Sequence, residues 1–447
     1  MKKYTILISA VAAIGGLLFG FDTAVIAGTI PALRSYFSLD ENAIGLVVAA
    51  ASIGCIPGAL FAGNLANRYG RKLMMLVTAV LYVVAAIGSG IAGSYEALVI
   101  YRFIGGLAIG MASTLAPIYI SEVAPAAYRG RLGMSQQLAI VMGILLAFIS
   151  NYFIDSAGWS FLTPENTWRY MLAAAVIPSI LFFILLLFVP ESPRWLIQRE
   201  KHDQAHHIFG RIYDEQGAEQ ELQNVKADIA TSKKGLRFME IFSPKYRKVV
   251  WIGVIFAAIA QLTGINIIFY YAPLIFEKTH VGGSVLFQTV LTGIVNLIFT
   301  IIAFWLIDRV GRKKLLLLGS AVMGLCMGIV GYLFYSDRLD NYLVLVAIFV
   351  YIAAFACTWG AVLWVYVAEI FSNKIRGSAT SFAIFGNWTA NAIVSWTFPV
   401  MLAEMGAPLT FFIYAVINFL MIAFVAKYVF ETKGIALEKV EALYQQL

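Results

Sequence analysis

Charge is scarce in this chain of 447 residues. Asp, Glu, Lys and Arg make up 13% of it against 61% hydrophobic residues, too little polar surface to coat a soluble globule of that size. Cysteine is nearly absent. Cys55, Cys326 and Cys357 are odd in number, far apart and each inside an apolar stretch, which argues against a disulfide framework or a thiolate metal site and leaves packed free thiols. No phosphate-cradling loop, nucleophile–base pair or metal-ligand cluster stands out, so the sequence reads neither as an enzyme nor as a cofactor protein. His202, His206 and His207 are close enough on a helix to suggest a metal, but no carboxylate or thiolate completes the set and they read as solvated.

What the chain has in abundance is long apolar runs. Stretches of about 20 residues, the length that spans a bilayer as a helix, fall near 6–30, 43–66, 73–93, 97–121, 132–155, 169–189, 248–276, 285–307, 315–336, 342–369, 377–402 and 408–430. The sequence therefore predicts an all-α membrane protein of 12 transmembrane helices. The first run continues past signal-peptide length to Ile30 without a convincing cleavage site, so it reads as the first span. Basic residues gather in alternate loops (Arg68, Arg71 and Lys72; Arg129 and Arg131; Arg194, Arg199 and Lys201; Arg309 to Lys314; Lys374 and Arg376), and the intervening loops are acidic or mixed. By the positive-inside rule both termini are cytoplasmic. The same rule accounts for the net charge of +7 without nucleic acid as a partner; the bilayer is the partner.

The chain is duplicated. SEVAPAAYRG, with Glu122 and Arg129, is echoed by AEIFSNKIRG, with Glu369 and Arg376. NRYGRK (Asn67 to Lys72) pairs with DRVGRKK (Asp308 to Lys314), and PESPRW (Pro190 to Trp195) with FETKG (Phe430 to Gly434), at offsets of roughly 240 to 247 residues. Each echo ends a long apolar run, so the repeated unit is a block of membrane helices, the architecture of a transporter. The expected organisation is an N-terminal six-helix bundle at 1–189, a cytoplasmic helical linker at 190–247, a C-terminal six-helix bundle at 248–431 and a tail at 432–447. Arg71, Glu122, Arg129, Glu191 and Arg194 are expected to pair with Arg312, Glu369, Arg376 and Glu431 as a cytoplasmic latch. Exposed pairs contribute only about 0–1 kcal/mol each, so such a latch biases a cycle only as a network that forms in one state. Glycines within spans, such as Gly20, Gly106 and Gly110, read as sites of close helix packing, and Gly264 with Pro273 reads as a bend at a cavity.

Two residues are out of place in hydrocarbon. Asp22 lies deep in the first span, where an ionised carboxylate costs at least about 2.5–3.5 kcal/mol, and Arg102 lies within the fourth. Two such charges in one bundle pair, and a movement that separated them would switch the acid's protonation, so Asp22 and Arg102 form a candidate proton site. A fixed structural pair is one other reading, and a capping acid near the external end of the span a third. A second set, including Gln136, Gln137, Gln261, Asn266, Tyr270, Tyr271, Asn296, Trp364, Asn387, Trp388 and Asn391, combines amides with aromatic faces and suits a neutral polyol.

GRK and GRKK after the second and eighth spans, PESPRW after the sixth and GINIIFYYAP in the seventh resemble the sugar porter family of the major facilitator superfamily. GGLLFGFDTAVIAG, YYAPLIF, AAFACTWG and SWTFP are most similar to bacterial D-xylose–proton symporters within it. The resemblance covers nearly the whole chain. It implies the major facilitator fold, with two six-helix bundles around a central site and alternating access. It also implies a proton-coupled monosaccharide symporter in a bacterial inner membrane, expected as a monomer, with a monosaccharide and a proton as its ligands. By motif position, substrate-binding residues would be Phe19, Gln137, Gln261, Asn266, Tyr270, Asn296, Trp364, Asn387 and Trp388, and the coupling pair Asp22 and Arg102. Facilitative carriers of the family often have a neutral residue at the Asp22 position, so the acid favours symport; a facilitative sugar uniporter is the alternative, and a sugar sensor a more distant one. The chain departs from the family where Ala260 replaces a glutamine, and where Ala361 replaces a proline expected to make the tenth span a hinge.

Overall fold

A computed structural model describes residues 2–125, 128–232, 238–279, 282–339, 342–371 and 375–433. A bilayer offers no water to the backbone, so long apolar runs fold as helices, and among the described residues there is no strand. The N-terminal half comprises α1 (Lys3–Val25) with a 3-10 turn (Ile26–Gly28), α2 (Ile30–Phe37), α3 (Glu41–Tyr69), α4 (Arg71–Ile91), α5 (Tyr95–Val123), α6 (Arg129–Ser156), α7 (Thr167–Ala173) and α8 (Val176–Leu187). Between the halves lie α9 (Pro193–Gln198), α10 (His202–Ile212), α11 (Glu215–Ser232) and the 3-10 turn Phe238–Phe242. The C-terminal half follows with α12 (Arg247–Leu262), α13 (Ile265–Glu277), α14 (Val285–Val310), α15 (Arg312–Tyr335), α16 (Leu343–Cys357), α17 (Trp359–Ile370), α18 (Arg376–Glu404) and α19 (Gly406–Tyr428).

Among the described residues, 11 helical stretches are long and apolar enough to cross a membrane, and three of these are two helices end to end: α7 with α8, α12 with α13, and α16 with α17. The twelfth span is α18. Its 29 residues are long enough, but Thr380, Ser381, Asn387, Thr389, Asn391, Ser395 and Thr397 make it less apolar than the run at 377–402 suggests. The seventh span breaks at Gly264, whose φ of +95° suits glycine, as the sequence predicts. The tenth also breaks, at Thr358. That break precedes Ala361 and forms without a proline there.

Glycines set the closest helix contacts. A Cβ on Gly20 would lie 1.9 Å from the Ile140 carbonyl, and one on Gly143 1.9 Å from that of Leu17, so α1 and α6 touch backbone to backbone at paired glycines. The linker helices belong to the N-terminal half: Ala205, Ile208, Phe209 and Ile212 share a core with Ile8 and Val11, and the Lys2 ammonium donates to the carbonyls of Gly210 (2.8 Å) and Tyr213 at the end of α10.

The duplicated motifs fold alike. Gly70 and Gly311 turn with φ of +104° and +94°, and the next helix begins at an arginine. The Arg71 guanidinium makes two bonds to the Glu122 carboxylate, both 2.9 Å, and Arg312 bonds Glu369 at 3.0 Å. Glu191 and Glu431 cap the helices that follow, accepting from the main-chain N–H groups of Arg71 and Lys72 and of Arg312 and Lys313 at 2.9–3.2 Å, where a helix N-terminus favours an anion. Burial raises the Glu191 carboxyl, whereas at Glu431 four backbone donors outweigh burial and hold it below the ordinary value. The expected pairing between halves is corrected here. Among the described residues each of these pairs lies within its own half, because each repeat supplies both partners. Arg194 reaches Asp228 in the linker at 3.8 Å, Arg376 donates to the Phe371 carbonyl, and the side chain of Arg129 lies outside the described residues.

Candidate functional site

The nine residues expected to hold a sugar line one cavity of about 120 Å³ between the halves. Phe19 and Thr23, one helical turn apart on α1, and Gln137, Ile140 and Ile144 on α6 form its N-terminal wall. Gln261 before the break at Gly264, Asn266 and Tyr270 after it, Asn296 on α14, Trp364 on α17 and Asn387, Trp388 and Asn391 on α18 form the other. The break between α12 and α13 leaves Gln261 and Asn266, and that between α16 and α17 leaves Gly360 and Trp364, facing a cavity rather than lipid, where irregular backbone is tolerated.

Amides on this wall are bonded to one another. The Gln261 Nε2 donates to Asn387 Oδ1 at 2.8 Å, and Asn266 donates to the Gln261 carbonyl oxygen. Tyr270 and Asn391 line the same wall. The Phe19 and Trp388 rings meet across the halves with centroids 5.4 Å apart, and the buried indole N–H of Trp388 has no partner among the described residues. Gln136, Tyr271 and Ala260 do not line the cavity. Gln136 packs against Gly16, Tyr271 donates to the Ser395 carbonyl at 2.8 Å, and Ala260 is 1% exposed in the core, so its missing amide leaves no gap in the cavity wall.

Asp22 and Arg102 meet as the sequence predicts. Arg102 Nη1 lies 3.1 Å from Asp22 Oδ2 and donates to the Asp22 main-chain carbonyl at 2.9 Å. The guanidinium is 2% exposed. Gly105 makes room for the acid, since a Cβ there would sit 3.2 Å from Asp22 Oδ2. Neither charge lines the cavity. Asp22 points to α5 while Phe19 and Thr23 face the cavity, so α1 carries the ion pair and the cavity wall on adjoining faces.

On the face opposite the basic loops, the halves are in contact. Trp396 Nε1 donates to Asn42 Oδ1 at 2.7 Å, and α3 approaches α18 so closely that a Cβ on Gly45 would be 2.2 Å from the Trp396 carbonyl. Phe148 meets Phe269 and Tyr152 meets Phe287 with centroids 6.3 and 5.6 Å apart. A larger recess of about 870 Å³, lined by Tyr36, Trp159, Asp155 and Glu277, lies on this face. It lacks the bonded amides, and the smaller cavity is the better candidate for a specific site.

Asn151 was not singled out by the sequence. It is 1% exposed on α6 and its Nδ2 donates to the Val25 carbonyl at 2.9 Å. The only signal for it is an amide near the end of an apolar run.

Three comparisons bear on this geometry. The family model described as sugar (and other) transporter matches residues 8–444. The D-xylose-proton symporter of Escherichia coli (strain K12) is 39% identical, with 99% of this chain and 96% of that protein covered. The arabinose-proton symporter of Bacillus subtilis (strain 168) is also 39% identical, with 99% and 95% covered. The inward-open conformation of the xylose transporter XylE from E. coli superposes with a TM-score of 0.87 at 39% identity, over 98% of this chain and 99% of that one.

Proposed function

This chain belongs to the family of sugar (and other) transporters, and from that premise we propose that it is a proton-coupled monosaccharide symporter of a bacterial inner membrane, with D-xylose, D-glucose or a related sugar as substrate. The observation that carries this is the shared use of α1: Asp22 faces Arg102, and Phe19, one turn earlier on the neighbouring face, lines the sugar cavity. A change of protonation at Asp22 therefore acts on the helix that forms the cavity wall.

The sugar is held mainly by the C-terminal half. Gln261, Asn266, Asn296 and Asn387 offer donors and acceptors to its hydroxyls, Tyr270 adds a hydroxyl, and Trp364, Trp388 and Phe19 cover its C–H face. Gln137 answers from the N-terminal half. The unpartnered Trp388 N–H suits a hydroxyl oxygen.

With the basic loops and both termini in the cytoplasm, the contacts around Asn42 and Trp396 close the outer side, and the structure represents an inward-facing state. Residues 1–189, carrying the linker 190–247, and residues 248–431 rock against each other, with the tail 432–447 in the cytoplasm. The pairs Arg71–Glu122 and Arg312–Glu369 stay within their halves, so they move with the bundles as they rock. Asp22 takes a proton from outside, sugar binds, the halves rock, and release inside lets the acid ionise again.

The test is sugar-evoked proton movement. Adding xylose or glucose to de-energised vesicles of the pure protein alkalinises the outer medium if the two move together. A facilitative uniporter leaves the outer pH unchanged while the sugar enters.

A further inference from the structure

We propose that Asn151 is a positioning residue for proton coupling: it holds the break in α1 that presents Asp22 to Arg102. The proposal rests on the reading of Asp22 as the coupling acid. At the end of α1 the helix tightens. The Ile26 N–H bonds the Ala24 carbonyl, and the Thr29 N–H and hydroxyl both bond the Ile26 carbonyl, at 3.0 and 2.8 Å. With Thr29 so engaged, the Val25 carbonyl accepts from Asn151 Nδ2 on α6 at 2.9 Å. One turn earlier, the Asp22 carbonyl accepts from Arg102 on α5 at 2.9 Å. Two side chains from two neighbouring helices thus hold two main-chain carbonyls of a segment whose own ladder changes register.

The Asn151 clamp is built for this contact. Asn151 is 1% exposed, and a Cβ at residue 28 would lie 2.6 Å from its Nδ2, so glycine there lets the amide reach the chain. Its Oδ1 has no partner among the described residues; the side chain serves as a donor. Without that donor the Val25 carbonyl keeps only the 3-10 bond from the Gly28 N–H, and the segment is free to wind Thr29 back into the α register. That rewinding reaches the turn carrying Asp22 and alters how its carboxylate meets Arg102.

The groups that carry or can carry charge around Asp22 are Arg102 on α5, Cys55 on α3, Tyr82 on α4 and Tyr270 on α13. Replacing Asn151 changes none of them, so a changed titration reports geometry. The experiment compares wild type, Asn151→Leu and Asp22→Asn in proteoliposomes, with Asn151→Val as a second variant should the leucine not fit. Two quantities are read: the steady-state accumulation ratio of labelled sugar under an imposed inward proton gradient, and the pH midpoint of sugar counterflow. The steady-state ratio does not depend on how many molecules are active. Asn151→Leu is expected to lower the ratio by about fivefold and to move the midpoint by about half a pH unit or more, a roughly threefold change in proton affinity. Either quantity remaining at its wild-type value overturns the proposal, since a purely structural amide moves no midpoint. Wild type failing to accumulate sugar, or Asp22→Asn accumulating it normally, instead overturns the symport reading on which the proposal rests.

Discussion

Asp22→Asn removes the charge that changes during the cycle and leaves the rest of the site in place. Arg102 holds the Asp22 main-chain carbonyl at 2.9 Å independently of the side chain, and an asparagine keeps an oxygen close to where Oδ2 stands 3.1 Å from Nη1. Either neutral residue leaves the buried guanidinium without its counter-charge, as protonation of Asp22 does in the proposed cycle, but the amide keeps the acceptor that alanine would remove, so the variant folds and binds sugar. What it loses is drive. One proton crossing about 100 mV supplies about 2.3 kcal/mol and one pH unit about 1.4 kcal/mol. Together these set a ceiling of roughly 500-fold on sugar accumulation by one-proton symport at about 1.4 kcal/mol per tenfold. In proteoliposomes with that gradient, wild type approaches the ceiling, and Asp22→Asn stops at equal concentrations while still exchanging labelled for unlabelled sugar. A mutant that concentrates sugar refutes the assignment of the coupling acid.

Gln261→Ala breaks the bonds to Asn387 and Asn266 and strands two amides in the cavity wall; binding by titration calorimetry should weaken about tenfold, one lost bond of about 1–1.5 kcal/mol. Asn42→Ala removes the bond to Trp396 that joins the halves on the outer face, shifting the equilibrium about 2- to 10-fold toward the outward-facing state, which faster labelling of a Phe269→Cys variant from outside would record. Glu431 is held below the ordinary glutamate value of 4.5 by four backbone donors that outweigh its burial, so its stabilisation is present above that pH and lost as pH falls through the depressed value. Glu191, raised by burial, has the opposite sense: its contribution is present at low pH and lost as pH rises. Thermal melts taken as pH is lowered from 6 should show a smaller drop for Glu431→Gln than for wild type, and an equal drop would remove the cap from the account.

The sequence reveals what depends on composition and on single residues. Apolar run length predicts the spans, the repeated GRK and Glu–Arg motifs predict the duplication, and Asp22 and Arg102 betray themselves because a charge in hydrocarbon needs a partner. Eight of the nine cavity residues stand out as amides and aromatics within apolar runs, Phe19 follows only from the resemblance, and the structure brings all nine to one wall or the other. Contacts between distant helices were less legible. Glu191 and Glu431 are separated from the helices they cap by about 120 residues, and nothing local distinguishes a carboxylate that caps its own repeat from one that crosses to the other. Asn151 shows the same limit, since its importance lies in a main-chain carbonyl on a distant helix, where α1 passes into a 3-10 turn. The amides of α18 had a visible cost instead: they make the span that carries Asn387, Trp388 and Asn391 less apolar than the others, though the run at 377–402 still marks it.

The most direct test of the central claim is uptake of labelled xylose and glucose into vesicles of the pure protein, with and without an imposed inward proton gradient. The account predicts that one or both sugars accumulate well above the outside concentration only when the gradient is present. Equilibration to the same level in both conditions would contradict it, making the protein a facilitative carrier and the Asp22–Arg102 pair a structural element of the N-terminal bundle.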